Sequence, residues 1–162
     1  MYLQKKPHPW SCLATSIAMA LEIPTWHLHE LVGHDGSHIL FPDLPEPQCR
    51  RGFHINEAVL ACLALGYAAS PVELAPHIAP SGGGSPPAPV YPEEHAFRQF
   101  AEMVQCGRGV IECKTGAGNW HAVAYELGTI YDPDGREFDY SREACEGRGL
   151  FTVRLWQIER VK

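Results

Sequence analysis

The stretch Gln4-Lys-Lys-Pro-His-Pro-Trp-Ser-Cys-Leu-Ala-Thr-Ser-Ile-Ala-Met-Ala-Leu-Glu-Ile-Pro24 constrains this chain more than any other. Pro7 and Pro9 keep its first part out of helix, because the residue before a proline is pushed towards extended backbone. From Ser11 onwards apolar residues recur at helical spacing until Ile23-Pro24 breaks the pattern. A helix therefore begins at a cysteine. Ser11 fits its N-cap, where a hydroxyl accepts from an otherwise unpaired first-turn N–H. Cys12 then lies in the first turn, where free N–H groups and the positive end of the helix dipole favour thiolate over thiol. Such a residue is either a nucleophile or a buried helix-terminal thiol, and taken alone Cys12 favours the second.

A base and an orienting carboxylate for that thiol stand far downstream, in Asn119-Trp120-His121 and Ile130-Tyr131-Asp132-Pro133. Ten residues separate His121 from Asp132, with Leu127-Gly128 between them. If Leu127-Gly128 is the turn of an antiparallel hairpin, Asp132 falls opposite Val123. If Glu126-Leu127 is the turn, it falls opposite His121. Side chains alternate with period two, so both registers put His121 and Asp132 on one face, as direct or diagonal neighbours. A carboxylate so placed fixes the imidazole tautomer and stabilises the imidazolium. The competing reading is a structural strand histidine beside an Asp-Pro turn. Asp134 is the rival carboxylate, although turn formation is its expected role in Asp-Pro-Asp-Gly.

The rest of the chain reads as one domain over residues 1–162. A second helix is expected from Thr25, as its cap, through Val32, closed by Gly33. A long ordered loop follows over 33–52. A third helix runs from about Asn56 to Leu65 with Val59, Leu60, Leu63 and Ala64 as its apolar face, and a fourth from Glu93 to Val104. Residues 71–92 form a Pro/Gly-rich loop. Short strands are expected at 67–74, 109–114, 120–125, 128–131 and 150–158. Helices first and an antiparallel sheet last give an α+β order.

The parts resemble the papain-like cysteine peptidases, most closely the bacteriocin-processing (double-glycine leader) peptidases and their relatives. The resemblance rests on a Gln upstream of an aromatic and a Cys that opens an apolar helix, then His-Ala-Val-Ala-Tyr and Ile-Tyr-Asp-Pro. It implies a papain-like peptidase fold, N-terminal helices packed on a C-terminal antiparallel sheet. It implies a cysteine peptidase whose nucleophile is Cys12, base His121 and third member Asp132. Gln4 is implied as the oxyanion-hole residue, a polypeptide as the substrate, and small residues such as Gly-Gly before the cut. The pattern spans residues 4–135 and leaves 34–105 unmatched. It departs at Leu13, where a Gly is common, and at Gln4, which lies eight positions before Cys12. A binding protein on a peptidase scaffold, or a related thiol amidase or acyltransferase, is the alternative.

Trp10 and Trp120 neighbour Cys12 and His121, and are expected either to wall a narrow substrate cleft or to be partly buried core aromatics. No cofactor is expected. Gly82-Gly83-Gly84 lacks the Lys-Ser/Thr of a phosphate loop. His27, His29, His34 and His38 cluster, but His29 and His34 are five apart rather than four, so loop packing is favoured over a metal site. A formal charge of −6 argues against a nucleic-acid partner. The N-terminus has no apolar export segment, and Ala58–Ala69 is too short to span a bilayer. A cytoplasmic protein with reduced cysteines, not fused to an exporter, is the expectation.

Overall fold

A computed structural model of the protein describes residues 1–73 and 93–161. The greater part of the Pro/Gly-rich loop, residues 74–92, lies outside the described residues, and Pro71 to Glu73 belong to a strand instead. In chain order the elements are α1 (Cys12–Leu21), α2 (Thr25–Val32), α3 (Ile55–Ala64), β1 (Tyr67–Glu73), α4 (Glu93–Cys106), β2 (Arg108–Thr115), β3 (Trp120–Glu126), β4 (Thr129–Asp132), β5 (Arg136–Asp139), α5 (Arg142–Glu146) and β6 (Leu150–Arg160). The six strands form one sheet in the order β1-β6-β2-β3-β4-β5, antiparallel throughout.

Both faces of this sheet are covered, and strand alternation divides the core accordingly. On one face Val110, Ala122, Trp156 and Ile158 meet α1, α2 and α3 through Ala14, Ile17, Ala18, Leu21, Leu28, Ile55, Ala58 and Ala61. On the other, Ile111, Val123, Tyr125, Ile130 and Leu155 meet α4 and α5 through Phe100, Val104 and Cys145. The helix α1 is buried almost all round from Ala14 to Leu21, which suits a run of small and aliphatic residues lying between sheet and neighbouring helices.

Two local expectations need correction. Thr25 does not cap α2; Pro24 occupies that place, and the Thr25 hydroxyl donates to Gln4 instead. The buried face of α3 is Ile55, Ala58, Ala61 and Cys62, leaving Leu60 and Leu63 largely exposed, because small side chains let the helix approach the rest of the core closely. The strand β5 and helix α5 had no sequence counterpart. All six cysteines are free, with Cys49, Cys62, Cys113 and Cys145 buried and Cys106 exposed. Among the described residues, no helix is long and apolar enough to cross a membrane.

Candidate active site

Cys12 is the first residue of α1, and Ser11 precedes it in non-helical backbone. The Ser11 carbonyl accepts from Thr15 N at 2.9 Å, which starts the helix. Its hydroxyl makes no capping bond and is buried without a hydrogen-bond partner, so the side-chain cap expected there is absent. The first-turn amides are accordingly left to whatever occupies the space before the helix.

The candidate base, His121, comes from the sheet. Cross-strand pairs Ala124–Tyr131, Tyr125–Ile130 and Glu126–Thr129 make Leu127-Gly128 the hairpin turn. Both turn residues have positive φ, 47° and 87°, as a tight two-residue hairpin requires. This is the register in which Asp132 extends beyond the ladder towards Val123 and sits diagonally from His121. His121 Nε2 and Asp132 Oδ1 are 2.9 Å apart, and both side chains are buried.

Asp132 is held from several sides. Its Oδ1 also accepts from Asp134 N at 2.9 Å, while Oδ2 accepts from Arg136 Nε and Nη2 at 2.9 and 2.6 Å. Burial alone would raise its pKa. The bonds from His121, the Asp134 amide and Arg136 outweigh that and hold it down to about 2. Arg136 was not foreseen; it lies four residues after Asp132, across the Pro133–Gly135 turn.

With Nε2 engaged by Asp132, the other ring nitrogen of His121 is left for the thiol. Burial would lower the His121 pKa, yet bonding to Asp132 and to Cys12 raises it to about 9. Burial likewise opposes the Cys12 thiolate, but His121, the Ala122 backbone and Lys6 favour it, and the thiol ends below its ordinary value. The buried Cys62 and Cys145 show the contrast, since burial pushes each up to about 11. Cys12 and His121 thus share one cleft, with Asp132 bonded to the imidazole behind them.

Gln4 does not join them. Its Nε2 donates to Ile23 O at 2.8 Å, and its Oε1 accepts from Thr25 N at 3.0 Å and Thr25 Oγ1 at 3.1 Å. At a rise of about 1.5 Å per residue, this contact lies some 15 Å along α1 from Cys12. The amide closes the α1–α2 junction, where Pro24 leaves backbone groups without helical partners.

A cleft of about 810 Å³ opens beside Cys12 and His121. Trp10 and Trp120 both line it. Trp10 stacks on His8, donates from its indole N–H to Asp35 O at 3.0 Å and carries the Arg50 guanidinium 4.9 Å over its ring. Trp120 is 58% exposed, with Lys114 Nζ 3.9 Å above it. Sequence reading missed the far wall, which the loop before α3 supplies through Gln48, Arg50 and Phe53, and the floor at Trp156, whose indole donates to Glu112 at 2.8 Å. Nothing in the sequence marks these residues as neighbours of the thiol. Of the histidine cluster, His29 and His34 both stack on Phe53, and His34 also accepts from Gly36 N and meets Glu57. They pack the loop that makes this wall.

No family model matches the chain, and no curated protein matches its sequence. Among solved structures it is similar to a double-glycine motif protease from an AMS/PCAT transporter, crystallised in complex with the leader peptide. The identity is 14% and the TM-score 0.56, over 98% of this chain and 91% of that one. The chain therefore has the α+β fold of a papain-like peptidase domain.

Proposed function

We propose that the protein is a cysteine peptidase in which Cys12 is the nucleophile, His121 the base and Asp132 the residue that orients it. The observation that carries this reading is the buried 2.9 Å His121–Asp132 pair beside a thiol whose pKa is lowered despite its surroundings. The Cys12 thiolate attacks the scissile carbonyl carbon, forming a C–S bond as the carbonyl electron pair moves to oxygen. His121 then gives its proton to the departing amine, and a water activated by His121 releases the acyl group. Since Gln4 is engaged elsewhere, the oxyanion falls to the backbone N–H of Cys12 and its first-turn neighbours.

The substrate is a flexible polypeptide, cut after a pair of small residues such as Gly-Gly. Two aromatic walls at the cleft support small residues beside the cut, and the similar protease is a double-glycine enzyme with a leader peptide bound. Six free cysteines fit a reducing compartment such as the cytoplasm. A second reading, a binding protein on a peptidase scaffold, is favoured by the removal of Gln4 from the site. Labelling with a thiol-directed electrophile separates the two. The peptidase requires selective modification of Cys12 that is lost in His121→Ala; labelling no faster than at Cys106 supports the scaffold. A peptide library then tests the preference: Leu, Phe or Arg immediately before the cut would refute the Gly-Gly assignment.

A further inference from the structure

Two carboxylates, not one, crowd His121. Asp134 brings an oxygen within 4.8 Å of a ligand-type nitrogen of His121 and of an Asp132 oxygen. Asp132 has its own counter-ion in Arg136. Asp134 is met by Lys6, whose Nζ lies 2.5 Å from its Oδ1 and whose backbone N–H donates to Pro133 O at 2.9 Å. The Lys6 side chain is 24% exposed and that of Asp134 41%, so the pair sits at the rim of the buried centre and is partly screened by solvent.

We infer that Lys6 is an electrostatic positioning residue of the Cys12 centre: by cancelling Asp134 it allows the thiolate–imidazolium pair to form. The inference rests on Cys12 being the nucleophile. Charge balance is the argument. With the thiolate formed, Cys12, Asp132 and Asp134 are anions, while His121, Arg136 and Lys6 are cations. Of the other titratable neighbours, Cys113, cross-strand from His121, is kept neutral by burial, and Glu112, which lines the same cleft, is met by Arg154 and the Trp156 indole. Without Lys6 the cluster carries an unmatched negative charge, which opposes ionisation of the thiol. Asp134 in turn pins Lys6, and its backbone is fixed by the hydrogen bond that its N–H donates to Asp132 Oδ1. The arrangement makes a prediction that a purely structural lysine does not. Removing Asp134 should repair the loss of Lys6.

The test is the pH dependence of Cys12 alkylation by iodoacetamide, followed by peptide mass analysis. In Lys6→Met or Lys6→Gln the profile should move to higher pH, slowing reaction on the acid limb about three- to tenfold. Lys6→Arg should stay near the native profile, and Lys6→Met/Asp134→Asn should recover most of the rate. Asp134→Asn alone should shift the profile to lower pH, which keeps the test open if the Lys6 variants fold poorly. A Lys6→Met profile superimposed on the native one overturns the inference, as does a double variant as slow as the single. Native Cys12 reacting no faster than Cys106 would instead overturn the peptidase reading, and this inference with it.

Discussion

The Ser16 hydroxyl donates a hydrogen bond to the Ala122 carbonyl across 3.0 Å. Ser16 stands four residues, about one turn, beyond Cys12 on α1, and Ala122 follows His121 directly on β3. One buried bond therefore ties the helix that carries the thiol to the strand that carries the base. Ser16→Ala should cost about 1–2 kcal/mol, since a buried carbonyl loses its partner. It should also lower kcat more than it raises KM, because the spacing of the reacting groups loosens while the cleft remains. Urea titration and steady-state kinetics on a cleavable peptide would check both.

Gln4→Ala is expected to behave as a stability variant. It strips partners from Ile23 O and Thr25 N at the α1–α2 junction. A loss of about 1–3 kcal/mol follows from two unsatisfied backbone groups. Cys12 alkylation in the folded variant should match the native rate, and a hundredfold loss of turnover at unchanged stability would return Gln4 to the oxyanion.

Asp132 should contribute to the acid limit of stability. Its pKa is lower in the folded protein, about 2, than in the unfolded chain, so its contribution is present above the unfolded value. That contribution, on the order of 2 kcal/mol, is lost as pH falls from about 4 towards 2. Arg136→Ala should move the midpoint of acid unfolding to higher pH, as followed by circular dichroism. An unmoved midpoint would show that Arg136 contributes nothing to holding the carboxylate.

His121 should contribute to the alkaline limit. Its pKa is raised to about 9, so the imidazolium's contribution is complete below the unfolded value near 6.5 and disappears as pH rises through 9. The kcat/KM profile should fall on its alkaline side near pH 9 for the same reason. Asp132→Asn should draw that limb to lower pH and leave residual activity. A null effect there, with a strong one from Asp134→Asn, would make Asp134 the third member.

The hairpin was legible from sequence because parity is robust: both turn choices put His121 and Asp132 on one face, and the observed register is one of the two. The start of α1 was legible from Pro9 and the apolar run that follows Cys12, though the Ser11 hydroxyl turned inwards instead of capping. Gln4 was misplaced because its partners, Ile23 and Thr25, are set by how α1 meets α2, and no local pattern encodes that. The face of α3 was misread because large aliphatics outweigh alanines on any hydrophobicity count, whereas close packing selected Ala58 and Ala61. Both β5 and α5 are short and rich in charge, with Phe138, Cys145 and the partly buried Ala144 facing the core from within them. Arg136 stayed unseen because an arginine on an exposed strand gives no sign of a buried carboxylate beneath it.

In the proposed peptidase the nucleophile, Cys12, opens α1, and its base, His121, lies on a strand that begins at Trp120. On a ribosome, which delivers the chain from its N-terminus, the thiol emerges more than a hundred residues ahead of its activator. A nascent chain ended after β2 has neither the His121 imidazole nor the Ala122 backbone beside Cys12, so its thiol should be no more reactive than that of free cysteine. In the proposed peptidase, chain order would therefore keep the thiol unactivated until the β3–β4 hairpin has docked on α1.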